Sequence, residues 1–275
     1  MRIAYQGEQG AYSEAAALRF NASADLLPRE TFEAVFVAVQ EGAATHGILP
    51  IENTIGGTIH QNYDLLLQHE LPIVAEVKLP IQHNLLALEG TTLEQLRRVY
   101  SHPQGLAQCE RFLRKLDQVE LVPTYDTAGS AKMIRDGQLR DTGAIASARA
   151  AEVFELSILA AGVQDFAGNT TRFLMIGRDA TPLGTADKTT IVFTVSNDAG
   201  ALFKALSAFA LRDIDLTKLE SRPIPDRPFE YLFYADVSAT REELPCARAL
   251  MHLAEFCPLL RTLGSYPSWR EPDEG

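Results

Sequence analysis

Gly168-Asn169-Thr170-Thr171-Arg172-Phe173 runs straight into Leu174-Met175-Ile176. A polar turn that empties into an apolar run marks a loop at the mouth of a buried strand. The turn offers an amide, two hydroxyls and a guanidinium. The last pairs bidentately with carboxylates and stays protonated. Such groups suit a small carboxylate substrate whose chemistry uses neither metal nor cofactor. The plain alternative is an exposed arginine capping a strand, and it stays open here, because loops and surfaces both collect arginine.

Upstream, strand and helix signals alternate. Arg2 to Tyr5 reads as a strand, followed by the turn Gly7-Glu8-Gln9-Gly10 and a helix from Glu14 to Phe20 capped by Ser13. Thr31 opens a helix from Phe32 to Gln40. Gly47 to Ile51 is a buried strand, then comes the turn Glu52-Asn53-Thr54-Ile55-Gly56-Gly57, and Gly57 to Gln68 reads as a helix. Further strands are expected at Ile73 to Lys78, Asn84 to Leu88, Val99 to Ser101, Glu120 to Val122, Ala144 to Ala146 and Ser157 to Ala160. Helices fit at Gly105 to Leu116, Ala128 to Asp136 and Ala148 to Phe154. This alternation predicts α/β with parallel strands, and ligands of such folds bind beyond the carboxyl ends of strands. The turns after Ile51, after Ser101 and before Phe173 are therefore expected to converge on one cleft. The segments Ile73 to Lys78 and after Asp165 are read as crossovers between two lobes.

Ala180 to Lys188 is poor in apolar residues and reads as a linker. Beyond it the order changes to strand Thr189 to Val195, helix Ala201 to Leu211, strand Ile214 to Ser221, strand Phe229 to Val237, helix Arg241 to Phe256 and strand Leu259 to Tyr266. That βαββαβ order is the ferredoxin-like plan. The expected domains are 1–179 and 188–268.

The chain has 275 residues, 46% hydrophobic and 22% charged, enough for a sizeable core. A net charge of −11 argues against nucleic acid as a partner. Three cysteines without a CxxC, and six histidines without HExxH, indicate neither a disulfide framework nor a metal site. No signal peptide or membrane span is evident, and the expected compartment is the reducing cytoplasm.

Two glycines in Gly7-Glu8-Gln9-Gly10 let backbone N–H groups approach an anion, although a lone GxxG is weak and a simple tight turn is the better reading. Asn53 and Thr54 precede a helix start, where capping alone explains one of them but not the whole run. In Ser101-His102-Pro103-Gln104-Gly105-Leu106-Ala107-Gln108-Cys109, a Cys109–His102 nucleophile pair is conceivable. A cysteine inside an apolar helical pattern is more often core, and His102 and Gln104 read better as ligand-orienting donors.

Together GEQGAYSE, PIENTIGG, SHPQGLAQC, NTTRF, GALFKAL and the Leu216 to Pro223 run carrying ESRP resemble the prephenate dehydratase family, in order and over nearly the whole chain. The resemblance implies a two-lobed, type II periplasmic-binding-protein-like catalytic domain followed by a ferredoxin-like ACT regulatory domain. It implies a monofunctional hydro-lyase of phenylalanine biosynthesis that needs no cofactor or metal and takes prephenate as substrate. L-phenylalanine is the expected effector, and the assembly a homodimer or homotetramer. Thr171 is the implied catalytic donor. Asn53, Thr54, Gly57, Ser101, His102, Gln104, Asn169, Thr170, Arg172 and Phe173 are the implied pocket. Asn197, Gly200, Ala201, Leu202, Glu220, Ser221 and Arg222 are the implied effector region. Thr54 stands where serine is common in the family and keeps the hydroxyl; Gly105 replaces a common alanine; Asp198-Ala199 precedes Gly200 where proline is frequent; Phe203 takes an apolar place in the GAL motif. Arogenate dehydratase, and beyond it a non-catalytic sensor, are the alternative readings.

Overall fold

The computed structural model describes residues 1–116, 118–224, 227 and 229–271. It divides into two compact units. One comprises Met1–Asn62 and Val77–Phe173, the other Tyr63–Glu76 and the chain from Leu174 onward.

The first strands are β1 (Arg2–Gln6), β2 (Asp25–Arg29), β3 (His46–Asn53), β4 (Gly57–Thr58) and β5 (Ile73–Pro80). Helices α1 (Tyr12–Phe20), α2 (Phe32–Gln40) and α3 (His60–His69) lie between them in sequence. The middle of the chain supplies β6 (Asn84–Ala87), β7 (Arg98–Ser101), α4 (Pro103–Gln108), α5 (Glu110–Leu113), β8 (Glu120–Pro123), α6 (Thr127–Gly137), β9 (Thr142–Ala146), α7 (Ala148–Val153), β10 (Ser157–Ala160) and β11 (Thr170–Gly177). One sheet has the order β2-β1-β3-β11-β5 with β4 on β3, and the other β10-β6-β9-β7-β8. The chain leaves the first sheet after β5 and returns at β11, so two crossings link them; Ile73 to Lys78, expected to be a crossover, is instead part of strand β5, and the crossing follows it. This is the two-lobed α/β plan.

The strands are not all parallel as expected. β1 pairs β2 and β3, and β7 pairs β8 and β9, in parallel, but β6 runs antiparallel to β9 and β10. β6 is entered directly from β5 through three residues, and no crossover helix turns the chain round to make it parallel.

Local differences have local causes. Ser13 lies inside α1, which starts at Tyr12 with Ala11 at its cap and no side-chain bond there. Thr31 does cap α2, accepting from Ala34 N at 3.1 Å. Gly57 and Thr58 pair back onto β3 before α3 begins. The expected long helix from Gly105 breaks at Cys109, where φ is −117°. Pro28 hides β2 from a propensity reading, yet β2 lies at the sheet edge, where a missing donor is tolerated.

The C-terminal unit carries β12 (Lys188–Thr194), α8 (Ala201–Ala210), β13 (Leu216–Pro223), β14 (Tyr231–Val237), α9 (Leu244–Ala254) and β15 (Leu260–Tyr266). Its antiparallel sheet, ordered β13-β14-β12-β15, is ferredoxin-like. Ile191, Phe193, Phe209, Val237 and Leu253 form its core. Phe229 is not part of β14: its φ of +66° is outside the strand region, and the ring is exposed. In the same unit Tyr63 lies against Tyr234, ring centroids 4.5 Å apart, and Lys188 pairs with buried Glu76 at 2.7 Å.

Candidate active site

Polar ends of both sheets of the first unit surround a cavity of about 350 Å³. Asn53 and Pro50 come from the end of β3. Thr171 and Phe173 come from β11. His102, Gln104, Gly105 and Gln108 come from α4, and Tyr12, Ser13, Asp126 and Thr127 from the starts of α1 and α6. His83 closes the wall between β5 and β6.

Asn53 is the hub. Its Oδ1 accepts from the backbone N–H groups of Ile55 at 3.0 Å and Gly56 at 2.7 Å. Backbone amides can only donate, so the side-chain amide cannot be flipped. Its Nδ2 therefore donates to Thr171 Oγ1 at 2.9 Å and to Asn169 Oδ1 at 2.7 Å. With Oγ1 accepting from Asn53, the Thr171 proton is free to be given to another acceptor. Asn169 Nδ2 in turn donates to Gln108 Oε1 at 2.9 Å, and His83 Nε2 lies 2.8 Å from the same oxygen. Burial pulls the His83 imidazole below its ordinary pKa, with the Gln108 bond opposing.

Of the residues implied by the resemblance, Asn53, His102, Gln104, Thr171 and Phe173 line the cavity. Asn169, 1% exposed, braces it from behind through Asn53 and Gln108. Thr54 stitches two turns together, donating to Gly168 O and accepting from Thr170 N. Thr170 joins this stitch through its carbonyl, which accepts from Thr54 N at 2.9 Å. Ser101 is fully buried and donates to Ile145 O. Gly57 sits in the short β4 pairing. Arg172 is half-buried on β11 between Thr171 and Phe173; since strand side chains alternate, it falls on the other face from those two. Asn197, Gly200, Ala201, Leu202, Glu220, Ser221 and Arg222 belong to the C-terminal unit, where Arg222 forks onto Asp64 at 2.8 and 3.3 Å.

Two of the possibilities the sequence left open resolve to the plainer alternative. The N–H groups of the first glycine turn meet the protein's own carboxylates, Glu8 N with Asp126 Oδ2 and Gly10 N with Glu14 Oε2, so they form no free anion cradle. Cys109 is 0% exposed, and burial pushes its thiol up to about 12, which rules out a Cys–His nucleophile at neutral pH. Sequence reading passed over Gln108, Tyr12 and His83. Gln108 stood inside a quoted motif, but His83 has no local signal, because its partners come from other elements.

Fold and cavity thus define a two-lobed α/β protein with a polar set of donors between two sheets. The chain matches the prephenate dehydratase family over residues 3–181 and belongs to it; it is a dehydratase, a carbon–oxygen lyase of aromatic amino acid biosynthesis. It is 50% identical to arogenate dehydratase/prephenate dehydratase 6 of Arabidopsis thaliana, over 97% of this chain and 69% of that protein. Its fold is similar to that of prephenate dehydratase from Arthrobacter aurescens in complex with L-Phe (TM-score 0.89, 30% identity, 98% of this chain and 90% of that one). It is similar also to GqqA, described as a novel type of quorum quenching acylase (TM-score 0.89, 36% identity, 98% of each chain). The expected cytoplasmic location is not upheld: the Arabidopsis relatives are named chloroplastic. Cysteine usage reports redox conditions and does not separate one reducing compartment from another.

Proposed function

We propose that this chain converts prephenate to phenylpyruvate by decarboxylating dehydration. The ring carboxylate leaves as CO2, its bonding pair enters the ring, and the C–O bond across the ring breaks. The hydroxyl departs as water after taking a proton. Aromatisation drives the reaction, so the protein has to position the substrate and supply a donor to the leaving oxygen. The observation that carries this reading is the fixed Asn53 amide, which makes Thr171 Oγ1 an acceptor and frees its proton for that oxygen. A threonine is a weak acid, and its hydrogen bond strengthens as charge develops in the transition state.

Asn53, His102, Gln104, Thr171 and Phe173 face the substrate in this reading. Thr54, Gly57, Ser101, Asn169 and Thr170 hold the turns, and Arg172 steadies the β11 turn or the side-chain carboxylate. A cation pressed on the departing carboxylate would stabilise the ground state and slow its loss. The starts of α1 and α6 at the cavity favour an anionic substrate without such a cation. Residues 1–179 are the catalytic domain and 188–268 an ACT domain binding L-phenylalanine, with the first N–H groups of α8 at Gly200, Ala201 and Leu202 for its carboxylate. Asn197, Glu220, Ser221 and Arg222 complete the effector region, and the assembly is a homodimer or homotetramer.

Arogenate is the second substrate, supported by relatives named for it, such as arogenate dehydratase 2 of Petunia hybrida at 48% identity. Under an acylase reading Thr171 is not an activated nucleophile, since its Oγ1 meets an amide donor rather than a base. The test is to incubate purified protein with prephenate and, separately, arogenate, following phenylpyruvate and phenylalanine with and without added L-phenylalanine. Turnover of prephenate suppressed by L-phenylalanine is expected. Turnover of arogenate alone would change the substrate, and binding without CO2 release would leave a sensor.

A further inference from the structure

The hydrogen-bond directions around the cavity reach one residue outside every motif. His83 is 3% exposed, with Nε2 2.8 Å from Gln108 Oε1 and Nδ1 2.9 Å from the Tyr12 hydroxyl. Which ring nitrogen carries the proton follows from the far end of the chain of bonds. Backbone N–H groups fix Asn53 Oδ1 as acceptor. Asn53 Nδ2 then makes Asn169 Oδ1 an acceptor, Asn169 Nδ2 makes Gln108 Oε1 an acceptor, and the nitrogen facing that oxygen must donate. Two donors on one carbonyl oxygen use both of its lone pairs. His83 is therefore Nε2–H in every protonation state. In the neutral ring Nδ1 is left as an acceptor facing Tyr12, whose hydroxyl has Gln82 O, at 2.8 Å, as its other choice.

We infer that His83 is a positioning residue for the reaction: its Nε2–H holds Gln108 Oε1, and through Asn169 and Asn53 keeps the Thr171 proton aimed away from the protein. The inference rests on the function proposed above. It assigns His83 no contact with reacting atoms and no proton transfer to substrate.

Two measurements test it. In uniformly ¹⁵N-labelled wild-type protein, long-range ¹⁵N–¹H correlation of the ring nitrogens reports the His83 tautomer, with His83→Gln identifying the signal. Protonated Nε2 is expected, and a neutral ring protonated at Nδ1 overturns the inference whether or not the protein turns over either substrate. In kinetics, His83→Leu fills the space without a donor. One neutral hydrogen bond is worth about 0.5–1.5 kcal/mol, so kcat should fall about 2- to 12-fold with KM nearly unchanged. His83→Gln, which returns an N–H, should recover most of the loss. A folded His83→Leu protein with unchanged kcat, a change confined to KM, or no recovery in His83→Gln would each overturn it. If His83→Leu does not fold, the tautomer decides. If wild type acts on neither prephenate nor arogenate, the proposed function fails, and the ring spectrum still judges the hydrogen-bond directions.

Discussion

Around the cavity of the first unit, the amides of Asn53, Asn169 and Gln108 are buried and linked to the buried His83 ring, each donor matched to an acceptor. Buried charge is held differently, in ion pairs: Glu14 with Arg149 in the first unit, and one such pair in the C-terminal unit. Lys188 meets Glu76 at 2.7 Å with side chains 11% and 0% exposed, and Glu76 also accepts from Trp269 N. A buried ion pair is held by geometry whose loss leaves a charge uncompensated. A neutral amide chain carries a direction without imposing a field of its own. The reaction proposed here ends by releasing CO2 from an anion, so neutral donors that orient the substrate without gripping the leaving carboxylate suit it, and a fixed cation there would not. The two units show the same polar vocabulary used for chemistry in one and for cohesion in the other.

The most severe test of that contrast is Glu76→Ala. It strands Lys188 and should cost about 3–5 kcal/mol in urea unfolding, whereas replacing both partners by methionine should return most of the loss. A single-variant loss below about 1 kcal/mol would mean the pair is solvated and the contrast false. Next comes Thr171→Ala, expected to lower kcat by about 10²-fold or more, with Thr171→Ser keeping most activity and stability barely moved. Near-normal kcat in folded Thr171→Ala protein would remove the neutral donor from the mechanism. The smallest effect belongs to Arg222→Ala. Its partner Asp64 and the guanidinium are 43% and 32% exposed, so stability should change by no more than about 1 kcal/mol. A larger loss would place this pair with the buried ones and would point to cover supplied by a second copy of the chain.

Much of the fold was legible locally. Thr31 as a cap, the apolar strand runs of β12 and β14, and the apolar face of α8 follow from local composition, period and turn chemistry, although β12 and β14 are buried on both faces and do not alternate. Misreadings arose where a tertiary fact overrode local preference. Pro28 was acceptable because β2 is an edge, Gly57 was drawn into a strand by pairing with Asn53, and β6 ran antiparallel because of how the chain enters its sheet. In the site, the turn residues announced themselves as polar groups in unusual company. Their division of labour did not: Thr54 and Ser101 turned out to brace, Asn53 and Thr171 to face the cavity, and Arg172 to take the alternate side of its strand.

The sequence by itself determined the alternation of strand and helix, the βαββαβ order of the second region and the family to which the chain belongs. Those rest on periodicity and on motifs a few residues long. Only the tertiary structure decided which polar atoms meet. Asn53 and Thr171 are 118 residues apart and His83 and Gln108 are 25 apart. A hydrogen bond's partner and direction depend on where the chain crosses between sheets, and no local pattern encodes that.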